Sequence, residues 1–297
     1  MGASGLLGTA LTASLRADGV EVVEFSRHAR GGRAHWDPEK SEIDAARLEG
    51  ADAIINLAGE SLDSGRWSEG RKRRLWTSRV ASTALLARTV ATLKHKPEVL
   101  VNASAVGYYG DRGEESVDEH SRPGHGYLAD LCQAWEQATT AAQEAGVRVV
   151  ILRWGVVLTP RGGALAKLLP PFRLGLGGRL GRGGQGMPWL ALADAVNIVR
   201  FVIAHRELRG PINAVAPEVI RNADLVQALG RALGRPTAFN VPSFALRAIF
   251  GSQMAQEMLL EGALVRPRVL EESGYRFEYP RLDDALEAML RRGSTAA

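Results

Sequence analysis

Eight residues at the start of the chain, Met1-Gly2-Ala3-Ser4-Gly5-Leu6-Leu7-Gly8, constrain the fold more than any others. Glycines at 2, 5 and 8 let the backbone turn tightly, approach a pyrophosphate and pack the following helix close to a sheet. Leu6 to Leu15 carries the apolar spacing of that helix, and Gly19 is its stop signal. An apolar run from Val20 to Phe25 follows, so the segment reads as the helix–strand half of a βαβ unit. Such a loop should follow a buried strand, and only one methionine precedes it. In a strand order of 3-2-1-4-5-6 the first strand is central, and without it two neighbours keep unpaired backbone groups, each costing about 1–3 kcal/mol. The expectation is an incomplete start, with a longer native chain that supplies this strand.

Gly181, Gly183 and Gly186 spell a second G-x-G-x-x-G, but Pro170 and Pro171 lie upstream and no strand leads into it. Residues 175–186 read instead as a flexible, substrate-side loop.

At 297 residues the chain can hold one large α/β domain and a smaller appendage. Its single cysteine, Cys132, excludes an internal disulfide framework and a cysteine-rich zinc site. No apolar run reaches about 18 residues, and the N-terminus lacks the basic and apolar regions of a signal peptide, so a cytoplasmic protein without a membrane partner is expected. A net charge of +4 suits phosphorylated ligands. The tetrapeptide Arg71-Lys72-Arg73-Arg74 reads as the exposed face of a helix capped by Ser68, and no nucleic-acid partner is expected. His120 and His125, near Glu114, Glu115, Asp118 and Glu119, show no metal-ligand spacing, so no metal is expected.

Strands and helices alternate: strand 53–57, helix 69–94, strand 99–104, helix 129–145 and strand 147–152. Short runs buried on both faces, separated by helices, predict a parallel sheet with helices on either side. After residue 160 the rhythm breaks into a Pro/Gly-rich loop, then resumes as helix 191–205, strand 212–215 and helix 222–233. From about 241 onward the pattern is mainly helical. The predicted division is a nucleotide-binding domain at 1–160, mixed substrate-side and returning sheet elements at 161–240, and a helical module at 241–297.

In doubly wound sheets ligands sit at the carboxyl ends of strands. That rule selects the Gly2–Gly8 loop, Ser26-Arg27, Asn56-Leu57-Ala58-Gly59-Glu60 and Ser104 to Gly110. At the end of the second strand an acid favours a free 2′-hydroxyl and an arginine a 2′-phosphate. Arg27 follows the strand while Glu24 falls within it, so NADP(H) is expected over NAD(H).

The glycine triplet, residues 56–60 and Ser104-Ala105-Val106-Gly107-Tyr108-Tyr109-Gly110-Asp111 resemble the extended short-chain dehydrogenase/reductase superfamily. More closely, the chain resembles its "epimerase family" branch, with a C-terminal domain of unknown function. Arg66-Trp67, Ser78-Arg79, Trp135-Glu136, Arg153, Gly155 to Leu158, Leu169 to Gly178, Trp189, Asp194, Arg209 to Asn213 and Val241-Pro242 carry the resemblance along almost the whole chain. It implies a Rossmann-type α/β fold, its first strand missing here, with a smaller, mainly helical C-terminal lobe. It implies cofactor contacts from Gly2, Ser4, Gly5, Leu6, Leu7, Gly8, Arg27, Asn56, Leu57, Ala58, Gly59, Glu60 and Ser104.

The superfamily's proton transfer uses a tyrosine four residues before a lysine, with a serine or threonine nearby. Here Tyr127 is the matching tyrosine, but position 131 is leucine and position 130 aspartate, which disfavours a phenolate. The catalytic candidates are Ser104, Tyr127 and Tyr109. Lys167, Arg173 and Arg179 are candidates to hold an acidic or phosphorylated substrate or else solvated loop charges. Asp194 is expected to cap a helix, and Cys132 and Trp135 to pack. The predicted function is NADP(H)-dependent oxidoreductase or epimerase-like chemistry on a small carbonyl or carbinol compound. The alternative is a catalytically impaired NADP(H) sensor or partner-binding protein.

Overall fold

A computed structural model describes residues 1–27 and 32–292. The chain runs α1 (Leu6–Ala17), β1 (Phe25–Ser26), β2 (Ala34–Asp37), β3 (Glu42–Ile43), β4 (Ala53–Asn56), α2 (Glu69–Trp76), a π-turn (Thr77–Ala81) and α3 (Ser82–Thr92). It continues with β5 (Val99–Ala105), β6 (Ser116–Val117), α4 (Tyr127–Gln137), α5 (Thr140–Glu144), β7 (Arg148–Trp154), β8 (Val156–Leu158) and α6 (Gly163–Arg173). Then come β9 (Trp189–Ala191), α7 (Leu192–Ala204), β10 (Gly210–Ala214), α8 (Asn222–Leu233), α9 (Ser243–Phe250), α10 (Ser252–Ala255), β11 (Leu264–Val265), α11 (Arg268–Glu272) and α12 (Leu282–Arg292).

Two compact units divide the chain, and each is discontinuous. The first holds Met1–Ser104, Asp130–Arg153 and Val196–Ile212; the second holds Ala105–Ala129, Trp154–Ala195 and the residues from Asn213 onward.

In the first unit a sheet of order β10-β7-β5-β4 follows from strands such as β5, buried from Val99 to Ser104 and so committed to having both faces covered. β4 and β5 pair in parallel from Ala53 opposite Val99 to Asn56 opposite Asn102. Its core gathers Phe25, Trp36, Ile54, Leu86, Val90, Leu100 and Ile151. Ser68 caps α2, its hydroxyl accepting from Arg71 N at 3.2 Å, as expected. The expected exposure of the basic tetrapeptide needs correction: Arg71 is buried, donating to Glu60, the Ser61 carbonyl and Ser64, while Arg73 and Arg74 remain exposed.

The expected strand at Val20–Phe25 is cut to Phe25–Ser26, in a separate sheet of order β1-β2-β3. Residues 20–24 carry no strand pairing, and of their backbone Glu24 O accepts from Ala34 N of β2 at 2.8 Å. Met1 alone mimics a strand beside β4: its amine donates to Ile55 O at 2.8 Å, and its carbonyl accepts from Leu57 N at 3.1 Å. A groove of about 470 Å³ remains, lined by Leu11, Leu15, Val20 to Phe25 and Ala51 to Ile55.

In the second unit β8 pairs with β9 and β11 with β6, both in parallel. The Pro/Gly-rich stretch expected as loop begins with a helix, α6, which runs through Pro170 and Pro171. Its buried Leu165, Leu169 and Phe172 supply the packing that outweighs the two missing N–H groups near its end. Asp194 does not cap α7 as expected. It lies in the helix's first turn, fully buried, and its carboxylate accepts from Glu278 N, Tyr279 N and the Tyr275 hydroxyl at 2.7, 3.0 and 3.1 Å. Burial pushes the Asp194 carboxyl above its ordinary range, and both burial and Asp194 push the Tyr275 phenol up. Cys132 and Trp135 are buried in packing, as expected. Among the described residues no helix is long and apolar enough to cross a membrane, and no three His, Cys, Asp or Glu cluster as metal ligands.

Candidate functional site

The first unit brings the glycine loop and residues 56–60 together. Gly2 adopts φ +78°, and a Cβ there would lie 2.7 Å from the Leu57 carbonyl carbon and oxygen. Gly8 lies in α1 beneath the loop; a Cβ on it would come within 2.1 Å of Gly2 O. Both positions therefore demand glycine for steric reasons. Gly5 N donates to Gly2 O at 3.1 Å, and Gly5 caps α1 without a side-chain hydrogen bond. The first-turn N–H groups of the helix beside exposed Ser4 and Gly5 thus form a backbone cradle suited to an anion. This cradle is what a dinucleotide's pyrophosphate requires.

Arg27 is exposed immediately after β1. The acid within the expected strand, Glu24, is already engaged by Arg16 at 2.9 Å and Arg33 at 3.0 Å. At this strand end the group on offer to a ligand is cationic.

Asn56 faces inward. Fully buried, its Nδ2 donates to Thr83 Oγ1 at 3.0 Å and Asn102 Oδ1 at 2.7 Å, while its Oδ1 accepts from Ala58 N at 3.3 Å. Its side chain shapes the turn at 57–59 rather than reaching outward. Trp135 Nε1 joins the same network through Thr83 Oγ1 at 2.9 Å. Glu60 is held locally: its carboxylate pairs with Arg71, and its backbone N donates to Ser78 Oγ at 3.2 Å. The π-turn delivers Arg79 beneath this segment, with Nη2 donating to Glu60 O at 2.9 Å and the guanidinium 5.2 Å from the Trp135 ring centre. Any Cβ on Gly59 would lie 3.2 Å from that guanidinium carbon.

Ser104 is the next-to-last residue of β5, and Arg153 is the next-to-last residue of the neighbouring strand β7. Between them Glu136, from α4, accepts from Ser104 Oγ at 2.7 Å and from Arg153 Nε and Nη2, both at 2.8 Å. Nothing in the spacing of the three residues announced this cluster.

The other two proton-transfer candidates belong to the second unit. Tyr109 is fully buried, and its hydroxyl donates to Asn213 Oδ1 at 2.7 Å, a packing role in a core with Val117, Val215 and Val265. Tyr127 is half-buried at the start of α4, followed by exposed Asp130 and buried Leu131. Glu257 closes that helix start, accepting from Leu128 N at 2.8 Å. It also lines an open cavity of about 590 Å³ with Asp111, His125, Arg247, Gln253 and Gln256. Lys167, Arg173 and Arg179 are exposed on and after α6. Beside Asn213, the partner of Tyr109, the buried Glu119 accepts from Asn213 N at 2.9 Å, and burial raises its carboxyl above the ordinary range.

Comparison with known proteins identifies the family and the fold. Residues 1–215 match the NAD dependent epimerase/dehydratase family, and residues 241–289 match a domain of unknown function, DUF1731. An epimerase family protein of Mycobacterium bovis is 44% identical over 96% of this chain and 94% of its own length. The human epimerase family protein SDR39U1 is 38% identical over 97% of this chain and 98% of its own. The crystal structure of isoform 2 of that human protein, described with NADPH, superposes with a TM-score of 0.91 at 37% identity, covering 98% of this chain and 97% of that one. The fold is shared at lower identity, 20%, with a UDP-glucose 4-epimerase of Thermus thermophilus at a TM-score of 0.78 over 100% and 98% of the two chains. The chain belongs to the NAD-dependent epimerase/dehydratase family of extended short-chain dehydrogenases/reductases and carries its DUF1731 C-terminal domain.

Proposed function

We propose that this protein binds NADP(H) at the Gly2–Gly8 loop and works as an oxidoreductase or epimerase-like enzyme on a small carbonyl or carbinol compound. The observation that carries the reading is the glycine cradle: Cβ atoms on Gly2 and Gly8 would collide with the backbone of Leu57 and of Gly2, so only glycine builds this turn, and the turn leaves the first N–H groups of α1 open to a pyrophosphate. A human relative of 37% identity, solved with NADPH, supports the choice of cofactor. Exposed Arg27 would hold the 2′-phosphate, and Glu24, engaged by two arginines, offers little to a free 2′-hydroxyl. Bound nicotinamide would supply hydride transfer; the chain's own residues bind the pyrophosphate, read the 2′-phosphate and present Ser104 at the strand end.

Fluorescence titration of NADPH and NADH against the protein tests this. NADPH should bind at least about tenfold more tightly, a difference of roughly 1.4 kcal/mol, and Arg27→Glu should remove the preference. Equal affinity for both, unchanged in the variant, would sink the Arg27 assignment. A second reading, an NADP(H) sensor without turnover, draws on Leu131 at the position of the family's lysine and on the Tyr109 hydroxyl held by Asn213. Oxidation of NADPH by any carbonyl compound in a panel would exclude it.

A further inference from the structure

We propose that the second unit carries a face that rests on an anionic lipid bilayer, formed by the turn after α6 and by residues 235–249. Among the described residues seven large hydrophobic side chains are exposed, and five of them are here: Leu174, Leu176, Phe239, Phe244 and Ile249. Exposed apolar side chains gathered in this way mark a surface that meets something other than water. Backbone bonds hold them in place. Gly175, at φ +74°, closes α6 with its N donating to Phe172 O at 3.0 Å, and Leu176 N donates to Pro171 O at 2.9 Å. The leucine on each side of that glycine is thus fixed in a built turn, Leu174 at 75% exposure. The second stretch abuts the first: Val241 N donates to Arg179 O at 2.8 Å and Gly181 N to Val241 O at 2.9 Å, while Gly178 lies against the Phe239 carbonyl. α9 then carries Phe244, 73% exposed, and Ile249, with Leu246 buried.

The charges of both stretches have one sign. Residues 159–193 hold five Lys or Arg and residues 225–256 hold three, and neither stretch has an Asp or Glu. Arg231 is paired with Asp283, and Arg247 donates to Gln256 Oε1. Arg173, Arg179 and Arg235 are exposed, and among the described residues no ion pair holds them. An arginine stem lies along apolar surface while its guanidinium reaches a phosphate, and Leu, Ile and Phe enter the boundary between headgroups and acyl chains. A bilayer offers a diffuse negative field and no fixed shape. This face suits it, with apolar side chains among arginines and no acid to set a register with a protein partner. The chain has no apolar run long enough to cross a bilayer, but lying against one needs none, so the expectation of no membrane partner is set aside for this face. The dinucleotide site has no part in the contact.

Flotation of the full chain with vesicles tests this at low salt, using phosphatidylcholine alone and with about 30% phosphatidylserine added. The protein should bind the anionic vesicles at least about tenfold more tightly than the neutral ones, and should detach in about 0.5 M salt as the arginines are screened. Leu174→Ser together with Phe244→Ser should lower binding about tenfold at unchanged Tm, since both side chains are exposed. Arg235→Glu should lower it at least about fivefold, whereas Lys94→Glu, an equal charge change at an exposed site of the first unit, should not. If the double variant does not fold, the two charge variants carry the comparison. No binding to anionic vesicles, or equal losses in Arg235→Glu and Lys94→Glu, would overturn the proposal. A dimer in sedimentation that becomes a monomer in the double variant, without vesicle binding by either, would assign the face to a second copy and overturn it as well.

Discussion

The first unit contains two parallel-strand regions of opposite character, β5 and residues 20–26. β5 is paired on both sides, buried from Val99 to Ser104, and ends in side chains tied to one another. Residues 20–24 have similar apolar content but no strand pairing, and they line a groove instead of filling a core. Strand propensity alone does not separate the two. What separates them is a neighbour on each side, because an extended segment keeps its ladder only where backbone partners exist.

Equal truncations on the two sides should therefore have unequal effects. Leu100→Ala, at a fully buried site in β5, is expected to cost about 2–5 kcal/mol, whereas Val22→Ala, half-buried at the groove, should cost under about 1 kcal/mol. Urea denaturation measures both. Comparable losses would mean that residues 20–24 are as well packed in solution as β5, and the contrast would fail.

Filling the groove should bring its two walls closer to the state of β5. An apolar, strand-forming segment of about five residues joined before Met1 should stabilise the protein by roughly 2–4 kcal/mol, through buried area and backbone pairing on two edges. Its effect on pH dependence is more specific. Burial pushes the Met1 amine down to about 6 from 8.0, with Glu24 opposing the shift. Between those values the folded protein binds fewer protons than the unfolded chain, so stability rises with pH across that window, by roughly 2–3 kcal/mol. Below about pH 6 the full penalty of a buried ammonium applies; above about pH 8 it is gone. The joined segment replaces the amine with a peptide, and the slope between those pH values should vanish. A slope that persists would show that other groups cause it.

The same contrast explains what could be read from the residues alone. Periodicity and punctuation located α1, β4, β5, β7 and α8, since each is a local pattern closed by a glycine, a cap or a strand partner. The family was legible because Gly2-x-x-Gly5-x-x-Gly8, residues 56–60 and residues 104–111 are contiguous. The strand at 20–25 was overestimated because pairing is not a local property. Arg71 and Asp194 were misplaced because their partners, Glu60 on one side and residues 275–279 on the other, come from elsewhere in the chain. The Ser104–Glu136–Arg153 cluster shows the same limit: its members are 32 and 17 residues apart, on two strands and a helix. Trp135-Glu136 and Arg153 could be noticed as part of the resemblance, yet no spacing rule assigns them to one carboxylate.

The contrast narrows to neighbouring positions within the glycine loop, where the groove side meets the closed side, and its smallest expected effect is at Gly5. Gly2 has φ +78° and would drive a Cβ against the Leu57 carbonyl, so Gly2→Ala should cost about 1–3 kcal/mol and weaken NADPH binding as the loop shifts. Gly5 differs. Its φ of −75° suits any residue, and a Cβ there would meet only Gly2 O at 3.4 Å. Gly5→Ala should therefore change stability by less than about 0.5 kcal/mol. If it nevertheless weakens NADPH binding severalfold, the reason for glycine at 5 is the approach of the ligand and not the fold. If NADPH affinity is also unchanged, the anion is held farther along the helix N-terminus, at the N–H groups of Leu6 and Leu7, and only the two outer glycines are required.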